Sequence, residues 1–478
     1  MSTPAPGRRA ARRAGSRQRR PLDPAGLVGA ALVAVAVLLL LAAGMVQAKP
    51  EPAAVPEAVP VDQVETVCVG APTSGEAEAD TMAAPLPDAP HGGTVTAGPV
   101  GEKPKPVGAA PRGQLVEIDP PDAGSATMVS AVDAEALGRG TFQVDRARGS
   151  DAVSTQECLP PRARWWFTGA GAGLDHQSKL VLTNVDPGPA VVDVVAHGPD
   201  GVVDSVGTRG ITLRPGEVRT IDLLDVAPKS DELAVHVEAS RGRVVAALAD
   251  SFADDAGAEP GQEWIPPQDD VSRVLRLGPL PRKADRRTLV VANPADREAL
   301  VTVRVSGQSG AFAPTGVAEL RVPPGAVLTT DLGSAIGADP SGVLLQSTAP
   351  VSATVRSSSA GDAAYAGALA ALDGPAAALL PSGTAGAVHL TGGAHGGSAE
   401  IAAYSSKGEK VDSGKLDLPA NATLPWSPKR GADYVVVTTA KGRVYGGVTL
   451  EGNGALTQVA LRPLPVFLKR PVVVPVIH

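Results

Sequence analysis

Seven histidines, two cysteines and one acidic run are the residues of this 478-residue chain whose types could do chemistry. The histidines are His91, His176, His197, His236, His389, His395 and His478. None is spaced with Cys or a carboxylate as metal ligands on a helix or hairpin are. His389 and His395 bracket Thr391-Gly392-Gly393-Ala394, which reads as a turn before it reads as a metal site. Asp250, Asp254, Asp255, Glu259 and Glu263 could offer Ca²⁺ several oxygens. The Asp-x-Asp-x-Asp-Gly order is missing there, and a solvated loop is the simpler reading. There is no Gly-x-Ser-x-Gly elbow and no phosphate-binding loop. A carboxylate pair for glycoside hydrolysis takes its geometry from the fold, and Trp264 and Trp426, which could stack on a sugar, stand alone. Asn421-Ala422-Thr423 has the form of a glycosylation acceptor. The residues point to no catalytic group, no cofactor and no metal.

Cys68 and Cys158 have no metal-site spacing. They pair as a disulfide if the chain is exported to an oxidising environment and stay free thiols otherwise. Trp165, Trp166 and Phe167 hold three of the thirteen aromatics. On a strand Trp165 and Phe167 share one face and Trp166 takes the other. A core anchor beside the disulfide is the plain expectation, because large aromatics dominate burial. A contact platform is the alternative. The expectation is that at least one Trp is core and the other is an accessible contact residue.

Charge decides where such residues sit. Residues 1–24 hold seven Arg and one acid, a charge of +6, which leaves −13 on the rest of a chain of net charge −7. An acidic body offers phosphates no attractive field, so nucleic acid is excluded as a partner. From Ala25 to Ala48 there is no charged residue, and about 20 apolar residues span a bilayer. Arg upstream of a first apolar segment holds that end in the cytoplasm. The expectation is a single-pass anchor in the cell membrane with an extracytoplasmic body. The alternative is secretion after cleavage near Ala48, at Val46-Gln47-Ala48.

The positioning elements read as strands. In Lys179–Leu223, Leu180 and Leu182 alternate with Lys179, Val181 and Thr183, a period of two. Asn184 ends that strand, and Pro215-Gly216 fits the centre of a type II turn. The pattern returns with Leu289 and Val291, Asn293 and Pro324-Gly325. Asn184 to Asn293 and Pro215 to Pro324 are both 109 residues. A third, looser copy begins at Ala387, with Gly392 in place of the Asn and Leu418-Pro419-Ala420-Asn421 in place of Pro-Gly. Ala364–Ala371 reads as a closing strand. Before the repeats, Pro and Gly make up 22 of the 73 residues from 49 to 121, the composition of a mobile spacer. Strands are expected there at Val61–Val69, Gln114–Ile118, Ala126–Val132 and Thr141–Val144.

The fold class expected is all-β: tandem immunoglobulin-like β-sandwich repeats behind a transmembrane helix and a Pro/Gly-rich spacer. The divisions are a basic cytoplasmic stub 1–24, an anchor 25–48, a spacer 49–160, and repeats at 161–275, 276–378 and 379–478, arranged as beads on a string. Cys158, Trp165-Trp166-Phe167-x-Gly169, the strand LVLTN, a Pro-Gly turn and the closing VVAALAD resemble an actinobacterial family of membrane-anchored extracytoplasmic proteins known only as a domain of unknown function. The resemblance covers most of the chain from Val61 onward. It implies location and form, envelope assembly as context, and no established activity. The function expected is a non-enzymatic, membrane-anchored scaffold that presents its edges and loops to an envelope protein or glycan. The alternative is a glycan-binding or glycan-processing accessory protein.

Overall fold

Each repeat is built from runs in which every second residue is apolar, so one face of each strand must find cover. In the first repeat Trp165 and Phe167, Leu180 and Leu182, Val192 and Val194, and Val235 and Val237 meet in a single core. The computed structural model describes residues 24–45 and, with short interruptions of which 254–260 is the longest, residues 58–469. The helix Pro24–Met45 belongs to one body and Ala58–Leu468 forms another.

In the helix, side chains are described at Pro24 and over residues 28–41. Val28, Leu32, Leu38 and Leu40 are all exposed. Among the described residues no helix is long and apolar enough to cross a membrane. The site Val46-Gln47-Ala48 lies outside the described residues.

The body is all-β with several sheets. In the first repeat one layer runs Arg164–Ala172, Ser230–Arg241, Ala190–Gly198, with Gly201–Val202 and Ile211–Leu213 at its edge. The facing layer runs Val218–Asp222, His176–Asn184, Val244–Phe252, Gly261–Ile265. The Ala172–Gln177 pairing at the corner joins the layers into one nine-stranded sheet. The second repeat has the same order, except that one strand, Ser341–Ser359, serves both layers. In the third repeat both Gly386–Tyr404 and Tyr434–Gly452 run through both layers. There the Asn-ended turn of the earlier copies becomes Gly392–Gly397, where the register slips. A Cβ at Gly393 would lie 2.9 Å from that of Arg443, so only glycine lets the strands crowd.

The spacer reading is corrected by the N-terminal residues. Gln63–Val69, Ala126–Val132, Gly93–Pro99 and Lys105–Ala110 form one four-stranded sheet. Val116–Ile118, Ala77–Pro85, Leu137–Asp145 and Ala152–Glu157 form another. This is the strand order of the repeats, from first strand to last, so the region is a fourth copy, the N-terminal unit. The strands expected at Val61–Val69, Gln114–Ile118, Ala126–Val132 and Thr141–Val144 are found as Gln63–Val69, Val116–Ile118, Ala126–Val132 and part of Leu137–Asp145. The other four carry Ala, Gly, Pro and Thr where the repeats carry Val and Leu, which is why apolar periodicity did not show them. The disulfide Cys68–Cys158 ties its first strand to the residue after its last.

The beads-on-a-string arrangement is also corrected. In each copy a turn with a left-handed residue precedes the strand at the edge of the second layer: Gly113 (φ 73°), Gly216 (φ 73°), Gly325 (φ 69°) and Asn421 (φ 54°). Each such turn packs on a hairpin of the copy before it. Gly216 meets Gly101, Gly325 meets Gly201 and Val202, and Ala420 meets Gly310. The fourth contact closes the series: Gly113 meets Gly408 of the third repeat, Leu115 N–H donates to Ser406 O at 2.9 Å, and Tyr434 Oη donates to Gly113 O at 2.6 Å. The four copies thus join head to tail in a closed cycle. Their last strands, Ala152–Glu157, Gly261–Ile265, Asp362–Ala366 and Ala455–Ala460, contact one another in the same cyclic order and line its centre. The closing strand expected at Ala364–Ala371 is the third of these, Asp362–Ala366.

Candidate functional site

The chemistry-bearing side chains converge near that centre. Asp250 on Val244–Phe252 pairs directly across the sheet with Ser178 on one side and Glu263 on the other. Cross-strand partners point to the same face, so the three form a row. Ser178 Oγ and Tyr365 Oη both donate to Asp250. His176 Nε2 lies 3.2 Å from Asp250 Oδ1, and its Nδ1 lies 2.6 Å from Asp231 O. Behind them Arg356 bonds Glu232 and stacks 4.1 Å over Phe252. Burial opposes the charge on Asp250, but the His176 charge and the hydrogen bonds from His176, Ser178 and Tyr365 hold its carboxyl below the usual range. Burial likewise opposes the charge on His176, and Asp250 overcomes it and raises His176 above the ordinary histidine value. Burial and the Asp250 charge push the Tyr365 phenol well up.

The residue types are those of a nucleophilic triad, but the wiring is not. Ser178 donates to the carboxylate itself and not to the imidazole, and nucleophile activation needs the Ser–His bond. Ser178, Asp250 and His176 are also all buried. The neighbouring cavity, lined by Asp250, Glu263 and Trp264, is about 100 Å³. That is room for a few waters and far below an ordinary ligand pocket. The cluster joins Ser178 and Asp250 of the first repeat to Tyr365 and Arg356 of the second.

Glu263 sits where the last strands meet. It accepts from Thr155 N–H at 3.1 Å and Trp264 N–H at 2.8 Å. Burial raises its carboxyl well above the ordinary value, against the hydrogen bonds it receives. Thr155 and Thr457, from the N-terminal unit and the third repeat, share a hydrogen bond of 2.8 Å beside it. The structure therefore places Asp250 and Glu263 of the acidic run as buried partners, while Asp254, Asp255 and Glu259 lie outside the described residues. Among the described residues no group of three His, Cys, Asp or Glu could hold a metal ion.

Trp165, Trp166 and Phe167 are all buried, at 0, 4 and 0% exposure. Trp165 and Phe167 enter the first core, and Trp165 Nε1 donates to Val244 O at 3.1 Å. Trp166 points the other way but stacks on His236, with centroids 4.3 Å apart, and tilts against His197. His197 Nδ1 lies 2.8 Å from Gly325 O of the second repeat. The opposite-face reading was right in direction, and the face is an interface between copies, so neither Trp is open to a partner. His389 is buried, with Nε2 3.0 Å from Thr449 Oγ1, whereas His395 is exposed. Asn421 is committed as well, since its Oδ1 accepts from Arg276 Nη2 at 2.8 Å.

Sequence reasoning missed a large open concavity among the described residues, a cleft of about 910 Å³ beside Cys158. Glu65, Glu157, Asp269 and Asp373 line it with Arg162, Arg243 and Arg462, and among the described residues no aromatic does. Arg462 ties Glu157 at 2.8 Å to Asp269 at 3.3 Å across it. The lining residues come from distant parts of the chain, so no local pattern marks it. The chain belongs to a family described as a family of unknown function, DUF5719, whose model matches residues 118–429. No curated protein matches the chain.

Proposed function

We propose that this protein is a non-enzymatic, extracytoplasmic scaffold of the cell envelope, carried on a single-pass membrane helix at 25–48 and built of immunoglobulin-like β-units. The observation that carries the reading is the commitment of Asp250: Ser178, His176 and Tyr365, the groups around it, are spent on joining one copy to the next. The disulfide supports an oxidising compartment. The Arg cluster before an uncharged run supports the orientation, and the family's actinobacterial origin belongs to the same proposal. In-cell crosslinking of the anchored chain, followed by identification of what it captures, tests the scaffold role; recovery of the chain alone would overturn it. Protease added to intact spheroplasts is expected to digest the body and leave an anchored stub. Full protection would refute export, and a mature N-terminus at Lys49 would replace the anchor by secretion.

The cleft supports a second reading, a glycan-binding or glycan-processing accessory protein, because it presents several carboxylates in an open concavity. The lack of an aromatic floor argues for the first reading, since sugars are held by stacking as well as by hydrogen bonds. Turnover of an envelope glycan that is lost in Glu157→Gln would decide for the second.

A further inference from the structure

The outward row of the first strand differs between equivalent copies. In the first repeat Trp166 and Val195 flank His236, and Trp166 fills the space toward the next copy by stacking on it. In the second repeat the same row reads Arg276 and Arg304 flanking Leu344. With two arginines in place of Trp and Val the space stays open. A pocket of about 560 Å³ lies between the second and third repeats, floored by Leu344 and rimmed by Ser309, Gln346 and Asn421.

The pocket has the chemistry of an anion site. No Asp or Glu lines it. Arg276 is held in place by Asn421 and by Tyr445, whose ring lies 4.8 Å from its guanidinium carbon. Its Nη1 is buried with no hydrogen-bond partner among the described residues. That atom is closed to solvent, so Arg276 adds positive charge beside the pocket while Arg304 supplies the reachable guanidinium. Arg304 is exposed and uses Nη2 on Ala311 O at 3.3 Å. The two arginines stand one strand apart on either side of Leu344, so their Cα atoms are about 10 Å apart. Guanidinium forks are suited to the planar or tetrahedral oxygens of carboxylate and phosphate.

We infer that this pocket binds a compact oxyanion, a phosphate or a carboxylate, carried on a body of about the size of a sugar. The volume exceeds what a bare phosphate fills, so the anion comes attached to something larger, and Ser309, Gln346 and Asn421 offer it hydrogen bonds. The inference goes beyond the scaffold reading and does not depend on the anchor.

The test is calorimetric titration of the full chain in detergent with glucose 6-phosphate, glucuronate and glucose at low salt. At least one charged probe is expected to bind, glucose is not, and which charged probe binds tells phosphate from carboxylate. Arg304→Gln, at an exposed position, is expected to weaken that binding about tenfold with an unchanged melting curve, and Arg304→Lys to restore part of it. Added salt is expected to weaken it too. The inference is overturned if neither charged probe binds, if glucose binds as well, or if Arg304→Gln and Arg276→Gln both leave binding unchanged.

Discussion

Asn184 and Asn293 make the same four hydrogen bonds in successive repeats. Asn184 Nδ2 donates to Gly188 O, Leu213 O and Arg214 O, and its Oδ1 accepts from Asp186 N–H. Asn293 does this with Arg297 O, Val322 O, Pro323 O and Ala295 N–H. Both are fully buried, so each is a plug that pins two turns to a strand end. Replacing either by Ala removes a donor from three carbonyls, of which Arg214 O and Pro323 O keep the turn N–H groups of Glu217 and Ala326. The expected cost is about 3 kcal/mol or more, from the penalty of buried unmet groups. Denaturant unfolding of Asn184→Ala and Asn293→Ala measures it, and a change below about 0.5 kcal/mol, the scale of an ordinary surface substitution, would refute the plug.

Cys68 and Cys158 close a loop of ninety residues around the N-terminal unit. Unreduced tryptic peptides are expected to show them linked. The Cys68→Ser, Cys158→Ser double variant is expected to lose about 4 kcal/mol, from release of loop entropy in the unfolded chain. Two alkylatable thiols in the folded protein would be the contrary result.

Trp165 and Trp166 fail differently. Trp165→Ala opens a cavity in the first core and is expected to cost about 3–5 kcal/mol. Trp166→Ala removes the stack on His236 at the junction with the second repeat. Hydrogen exchange is expected to quicken there, at Ala234 and Val290, which share a small apolar cluster across the same junction. Uniform quickening across the first core would show Trp166 to be ordinary core.

His389 gives the fold a pH response. Burial, helped by the Arg282 charge, brings it down to about 4, well below the ordinary histidine value of about 6.5. It is neutral in the fold and takes a proton more readily when unfolded. Its contribution is therefore complete above pH 6.5 and is lost as pH falls from 6.5 to 4, for a total of about 3 kcal/mol. His389→Gln can still hydrogen-bond Thr449 and is expected to flatten that part of the stability curve. Parallel curves for the two proteins would exclude His389 as the source.

Gly216 and Gly101 test the closed cycle. A Cβ on Gly216 would lie 2.8 Å from Gly101 Cα, at a φ of 73°. Gly316 has a φ of 81° with open space around it. Gly316→Ala bears only the backbone strain, about 1–3 kcal/mol. Gly216→Ala is expected to cost more and to loosen the N-terminal unit from the first repeat, read as new protease sites near Val100. Equal effects of the two substitutions would mean that the turn does not dock.

What the sequence alone determined was local. The period of two in Leu180–Leu182 and Val301–Val305, the 109-residue spacing of the Asn and Pro-Gly marks, and an all-β class follow from side-chain alternation and turn chemistry, both of which act between near neighbours. The tertiary structure alone decided three things. That the N-terminal strands make a fourth copy was hidden because its Ala-, Gly- and Pro-rich strands have little apolar rhythm and are held by pairing with strands tens of residues away, such as Ala77 with Asp145. The fate of Asp250 was hidden because its partner Tyr365 stands 115 residues on, and burial with a partner converts a solvated carboxylate into a joint between copies. Closure of the cycle was hidden because Leu115 and Ser406 meet only when four copies stack in turn. A contact between chain segments that far apart leaves no pattern in either segment, since each must satisfy only its own strand or turn.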